Sequence, residues 1–515
     1  MKCHWLVCIL VLLSGGTVSA QDGRPASVRM RLPRLQSAVM LPSRQHLAKS
    51  DFNGLSADPS VFAVPIETDF NPCNSGEWFS ADGSKVWRIA LCSPNAYSLN
   101  VALSDFYVPN GAELFVYDSD KKLVLGAFTS EQNTDWLQLP PVIGDLLVVE
   151  YVEPDDADFS GVFNIVRVAH DFRGFFASEE SEEADCHIAV DSDFGADWQD
   201  EKRAVCQIII NGTTLCTGTL LATADGCHEP YVLTARHCIH TQKMAQSSVF
   251  YFNNEEGLNN QYVTGATLVA AKDNDDGFLD FALLKLNNRV PDEFGAYYAG
   301  WDVSGDVPSK AVCIHHPISG GKQLAIDEDS LRVASYRNFD ENSFFNVGEW
   351  DAGTTEIGSS GAPIFDSNHR VVGILAGGDA DCAYPMNDYF QMISVCYDRY
   401  SGEQQQLKHW LNPSGSNDVM VDGSYAQPST NIEVEEWRQL SVYPNPMRNE
   451  FYIRSEKQMI TSVLIADMFG RMVQQMNVGG LLSVKIDSAN LPSGTYLCQV
   501  TFESGEIANR MIIKE

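Results

Sequence analysis

Short apolar segments with strand-like alternation, cut apart by Gly, Pro, Asn and Asp, recur along most of this chain and argue against a helical architecture. VWRIAL, LNVAL, AELFVYD and DLLVVEYVE lie between about residues 56 and 172. AVCQIII, YVLTA, SVFYF, FALLKL, AVCIHH and RVVGILAGG lie between 186 and 400. So many strands joined by irregular loops favour a barrel or a sandwich over alternating βαβ units. One short segment, EQQQLKHWL, reads as a helix that closes the second region.

The 515 residues exceed one ordinary core, so several domains are expected. Residues 21–55 are polar and basic-leaning, without an apolar period. The acidic run 178-SEESEEAD-185 separates the two strand-rich regions, and PSGSNDVMVDGSYAQPST reads as a linker after the second. The last 75 or so residues carry short strands again and suggest a compact β-sandwich.

The N-terminus, MKCHWLVCILVLLSGGTVSAQD, has a basic Lys2, an apolar core and a small-residue site at Val18-Ser19-Ala20. This is the pattern of a secretory signal cleaved after Ala20, and its apolar run is too short to span a bilayer comfortably. Export permits disulfides. Of 13 cysteines, Cys3 and Cys8 leave with the signal, Cys73 and Cys92 are placed to staple the first β region, eight fall from Cys186 to Cys396, and Cys498 stands alone. No repeated CxxC or Cys/His spacing calls for zinc, no EF-hand spacing calls for calcium, and no cofactor is implied. A formal charge of -33 with pI near 4.6 argues against general nucleic-acid binding.

Three stretches carry chemistry. In 231-YVLTARHCIH-240, His237 follows an apolar strand; alone it would read as a buried structural histidine. In 280-DFALLKL-286, Asp280 opens an apolar strand, and burying its carboxylate is costly without a partner. A histidine N–H supplies such a partner, and the carboxylate then fixes the tautomer. Asp273, Asp275 and Asp276 lie in a more polar turn and read as solvated. In 355-TEIGSSGAPIFD-366, Gly358 permits a backbone in which the amides of Gly358 and Ser360 converge on one developing negative charge, and Gly361 clears space beside the Ser360 hydroxyl. The order His, Asp, Ser fits the chymotrypsin type among the known triad orders, and no GxSxG elbow surrounds Ser360.

TARHC, DFALLKL and GSSGAP together resemble the motifs of trypsin-fold serine endopeptidases. CTGTLL, YVLTARHC, AGWDVSG, AVCIHHP, GTTEIGSSGAPIFD and RVVGILAGG are similar more closely to bacterial lysyl endopeptidases, from roughly Cys186 to Leu411. The resemblance implies two packed six-stranded β-barrels, with Ser360 as nucleophile, His237 as base and Asp280 as orienting carboxylate. Ser359 replaces the aspartate that, in trypsin, pairs with the freed N-terminus on activation. Asp388 matches the aspartate at the pocket floor and implies a lysine at P1, while the residues alone leave lysine and arginine open. Leu375, Ala376 and Gly377 match the wall that pairs with substrate backbone. Trp350 matches a tryptophan that lines the subsite cleft and stacks against the histidine region; the histidine that accompanies it in the best-known members is Ala376 here. The resemblance supports Cys186–Cys382 and Cys216–Cys238. The pairing of Cys206, Cys227, Cys313 and Cys396 stays open, with Cys206–Cys396 and Cys227–Cys313 the favoured set.

The tail resembles the C-terminal sorting domain of the type IX secretion system of Bacteroidetes, through 443-YPNP-446, 467-DMFGR-471, 491-LPSGTY-496 and 511-MIIKE-515. The expected organisation is a signal peptide at 1–20, a propeptide with a β-rich domain at 21–173, an all-β trypsin-like protease domain at 174–412, a linker at 413–438 and a sorting domain at 439–515. The propeptide is expected to assist folding and block the cleft, with a permanent β accessory module as the alternative. Cleavage is expected after Arg173 or within the acidic run, and no lysine occurs from Leu123 to Glu201, so a separate maturation protease is expected as a partner, beside peptide substrates and the secretion machinery. Arg or mixed specificity is the enzymatic alternative, and a non-catalytic adhesin on a protease scaffold the remote one.

Overall fold

The computed structural model describes residues 24–29, 32, 35, 37–42, 58–81, 83–176, 186–255, 259–274, 277–318, 321–426, 440–443, 445, 447–455, 458–467, 471–503 and 507–514. The signal peptide, the acidic run and the linker from residue 427 on lie outside them, as do Asp275, Asp276 and parts of the YPNP and DMFGR motifs. The chain divides into two compact units at residues 426 and 427. Both are built almost wholly from strands.

The first unit opens with an N-terminal β domain of two sheets. One holds Ser84–Cys92, Leu146–Pro154 and Glu113–Asp118 at its centre, and the other Ala63–Phe70, Val162–Asp171 and Ser98–Tyr107. Trp87, Phe106, Tyr151 and Phe163, each fully buried, form part of the single core between them.

Beyond it, a seven-stranded sheet runs in the order 262–264, 248–251, 205–210, 214–221, 231–234, 277–286 and 266–274. AVCQIII reads as a continuous apolar run because both faces of its strand are covered. Cys206, Ile208 and Ile210 point into this sheet's own core with Phe250 and Leu284. Ile209 points the other way with Leu215, Val249 and Tyr251, against Phe62 and Ala63 of the N-terminal domain. Phe62 continues the contact through its backbone, donating to Thr213 O at 2.8 Å, and Asn100 Nδ2 donates to Gly212 O at 2.9 Å. Among the described residues, the hydrogen bonds and ring contacts between the two domains do not involve His237, Asp280, Ser360 or Asp388. The seat takes in the 211–214 turn, Tyr262 against Phe128, Lys243 over Trp136, and Ile318 beside Phe62.

A ten-stranded sheet follows, with Gln323–Asp327, Ala311–His315, Pro363–Phe365, Arg370–Gly378, Met386–Met392 and Phe344–Glu349 consecutive in it. Val205, Leu233 and Leu283 of the first sheet share one core with Ile314, Ile364, Ile374 and Phe390 of the second. The second unit has its own core around Phe451, Ile465, Val500 and Ile512, where Cys498 is buried.

Cys186–Cys382 and Cys216–Cys238 are bonded; Cys73, Cys92, Cys206, Cys227, Cys313 and Cys396 are free thiols, so three expected pairs are corrected. Cys206 and Cys396 sit in different cores. Cys227 is exposed while Cys313 is fully buried. Cys73 lies in a turn where Asn71 accepts the backbone N–H groups of Cys73 and Asn74, which draws it off the ladder that carries Cys92.

Candidate active site

His237 follows the strand Tyr231–Thr234, whose antiparallel neighbour Gly277–Leu286 places Ala282 opposite Thr234. Two residues further, the loop draws level with Asp280. The His237 backbone N–H donates to Asp280 Oδ1 at 2.9 Å, and Nδ1 lies 2.7 Å from Oδ2. Asp280 is 1% exposed, and its own N–H donates to Gln391 Oε1 at 2.9 Å. Gln391 in turn donates to Ser343 O. The buried carboxylate is therefore satisfied by the group it orients, and an Nδ1–H donated to it leaves Nε2 as the basic nitrogen.

Ser360 arrives from the second sheet. Its carbonyl accepts the Thr217 N–H at 2.8 Å, which ties the serine loop to the first sheet. Gly361 has φ +84, and a Cβ there would fall 2.2 Å from Thr234 Oγ1 and 2.4 Å from Thr217 O. Only a residue without a side chain lets the serine loop approach the histidine strand this closely. The Ser360 hydroxyl and His237 Nε2 make no hydrogen bond in this structure; such bonds often tighten only when substrate is bound. Gly358, with φ +94, has the His316 carbonyl 2.9 Å from where its Cβ would stand.

Asp388, 1% exposed, lies in the strand Met386–Met392. Its Oδ2 accepts the Trp350 indole N–H at 2.8 Å and the Thr355 hydroxyl at 2.5 Å. Burial pushes its carboxyl up to about 6, against the lowering effect of those donors and of the Ala380 N–H, with Asp379 adding to the rise. Trp350 is 3% exposed and meets the Phe390 ring edge-on. The Leu375 N–H is committed to Ala362 O and its carbonyl to the Gly361 N–H, both at 2.8 Å. Ala376 and Gly377 continue the same strand, where Gly377 stands opposite Tyr389 across a bulge.

Sequence reasoning missed Thr355, Gln391, Glu356, His187, Thr217 and His315 as parts of this site. Thr217 and His315 lie within CTGTLL and AVCIHHP, but nothing local to those motifs says what their side chains touch. Cys186, His187 and Cys382 cluster near the start of the domain, yet the two sulfurs are bonded to each other and offer no thiolate.

Residues 180–391 match the protein family described as lysyl endopeptidase, C-terminal domain, and residues 441–514 match the secretion system C-terminal sorting domain. A lysyl endopeptidase of Pseudomonas aeruginosa is 26% identical over 361 residues, covering 63% of this chain and 76% of that protein. A secreted RxLR effector protein 73 of Plasmopara viticola is 28% identical over 225 residues, covering 38% of this chain and 49% of that protein. Among solved structures, a thermostable serine protease from an extremophilic microorganism aligns with TM-score 0.29 and 15% identity, over 38% of this chain and 92% of that one. A Glu endopeptidase aligns with TM-score 0.27 and 18% identity, over 37% and 85%. The chain thus joins a lysyl-endopeptidase-like serine protease domain to a type IX sorting domain, which directs secretion to the cell surface or outer membrane.

Proposed function

We propose that this chain is a secreted serine endopeptidase that cuts on the carboxyl side of lysine. The observation that carries the reading is the doubly hydrogen-bonded His237–Asp280 pair on a strand against which the Ser360 loop packs. Ser360 attacks the scissile carbonyl, His237 takes its proton and returns it to the leaving amine, and Asp280 stabilises the imidazolium. The Gly358 and Ser360 N–H groups hold the oxyanion, and loss of one such donor costs about 2.7–4 kcal/mol. The reading places these groups in a cleft between two β-barrels.

Lysine specificity rests on Asp388. A carboxylate this buried gains from an ammonium only at close approach, and Trp350 and Thr355 hold it in one orientation. The N-terminal domain acts as a propeptide that assists folding. Arg173 spends its guanidinium on the Val61 and Asp58 carbonyls, which favours maturation within 178–185 by a separate protease. The tail engages the type IX machinery.

Assaying the processed protein on matched peptides that differ only in Lys or Arg at one position tests the reading. Cleavage after Lys, abolished in Ser360→Ala, is expected. Equal or preferred cleavage after Arg would replace the specificity, and activity surviving in Ser360→Ala would remove the mechanism.

A further inference from the structure

Ser359 is a neutral residue at the place where the resemblance to trypsin leads one to expect an aspartate, yet it is 0% exposed. Its hydroxyl lies 2.7 Å from Nδ1 of His315 and 3.2 Å from the Glu356 N–H. His315 is itself 0% exposed, so burial, aided by His187, lowers its pKa to about 3 and keeps the ring neutral. The hydroxyl, with one donor and two acceptor sites, accepts from the Glu356 N–H and shares a hydrogen bond with the ring nitrogen, whichever of the two carries the proton.

The same loop is held at four further points. Ile318 N–H donates to Ile357 O at 2.8 Å and Thr217 Oγ1 to Gly358 O at 3.0 Å. The His316 N–H donates to Thr217 Oγ1 at 3.1 Å, which fixes that hydroxyl. Glu356 Oε2 stands 3.3 Å from His187 Nε2, and His187 adjoins Cys186, bonded to Cys382. In a trans peptide the C=O and N–H point opposite ways. Fixing the Ile357 carbonyl against Ile318 therefore aims the Gly358 N–H away from Ile318, and the Ala362 N–H fixes the Ser359 carbonyl at 2.9 Å in the same manner for the Ser360 N–H.

We propose that Ser359, bonded to buried His315 and joined through Glu356 to His187, is a positioning residue that sets the oxyanion loop without a freed terminal ammonium. This rests on the reading of Ser360 and the Gly358 and Ser360 amides given above. The hydroxyl of Ser359 touches no reacting atom; it acts by fixing the loop from within. A loop that loses this tie still binds the lysine side chain, because Asp388 is held by Trp350 and Thr355 independently of Ser359.

The test uses processed enzyme carrying Ser359→Ala, Ser359→Cys or Ser359→Ala with His315→Gln. Readouts are kcat and KM on a lysyl peptide, inhibition by a lysine-derived peptide aldehyde, and inhibition by a simple alkylamine. The aldehyde places an oxyanion in the loop, whereas the amine fills only the pocket. Ser359→Ala is expected to lower kcat by about 10- to 100-fold and weaken the aldehyde in parallel, with KM and amine binding within about two-fold. The double variant is expected to be no worse than the single one by more than about two-fold, since both remove the same tie. An unchanged kcat in Ser359→Ala, or equal losses in kcat and amine binding, overturns the proposal. Should Ser359→Ala fail to fold, the near-isosteric Ser359→Cys decides, because its thiol is a poor substitute for the hydroxyl towards His315 and the Glu356 N–H: a kcat loss with amine binding retained supports the tie, and parental kcat overturns it. Parent enzyme indistinguishable from Ser360→Ala would instead overturn the underlying reading and this proposal with it.

Discussion

Trp350 donates its indole N–H to Asp388 Oδ2 at 2.8 Å, from a position almost wholly inside the core. Donors of this kind favour the ionised carboxylate, in opposition to burial. Trp350→Phe keeps most of the packing and removes the donor, so Asp388 should titrate higher than in the parent. KM for a lysyl substrate is expected to rise several-fold at pH 7 and recover towards the parent value at pH 9, with kcat little changed. KM–pH profiles of the two proteins check this.

Asp388 at about 6 also makes the lysine preference itself pH-dependent. Dividing kcat/KM for a lysyl peptide by that for a neutral isostere cancels the titration of the catalytic base. The ratio is expected to climb as pH rises through about 6 and level off above it, and Asp388→Asn should flatten it. Stability follows the opposite sign. The native carboxyl holds its proton up to about 6 and the unfolded one only to 3.8, so the group's contribution falls as pH rises between them. Asp388→Asn should therefore raise the thermal midpoint at pH 8 and not at pH 4, as calorimetry would show.

The strands and the three catalytic-type motifs were legible because each has a local cause. An apolar run bounded by turn residues forms a strand wherever it packs, and Asp280 in DFALLKL announces a buried carboxylate needing a partner. AVCQIII and SVFYF held more than was read from them: their unbroken apolar character reflects a second covered face, with Ile209 and Val249 turned towards Phe62. The ties of Gln391 to Asp280 and of His315 to Ser359 join residues 111 and 44 positions apart. Nothing in a local pattern announces such contacts. The disulfide expectations for Cys206, Cys313 and Cys396 failed because a buried cysteine packs as well reduced as any small apolar side chain.

The seat of the N-terminal domain turns on Phe62, 0% exposed, whose ring meets Phe176 edge-on at 5.3 Å. Phe62→Ala leaves a cavity between Ile209, Leu215 and Tyr251 and is expected to cost about 3–5 kcal/mol, the usual range for such truncations. Denaturant midpoints of the unprocessed chain, together with faster limited proteolysis between the two domains, would register it. A midpoint shift of a few tenths of a kcal/mol would mean that this contact does not hold the domains together.

Thiol chemistry separates the cysteines sharply. Burial pushes the Cys206 thiol up to about 12 and holds those of Cys313 and Cys396 far above the ordinary range, so none presents thiolate at neutral pH. Cys73 and Cys227 are exposed, and Asp225 slows Cys227 by bonding its S–H and raising its pKa. Iodoacetamide on the native protein is expected to label Cys73 first and Cys227 more slowly. Cys206, Cys313 and Cys396 should stay unmodified until denaturant is added, and then react without a reductant. Peptide mass mapping with and without reductant reads every one of these positions. Any of the three buried cysteines that needs reduction before it alkylates would restore a disulfide that the fold, with Cys206 and Cys396 in separate cores, does not provide.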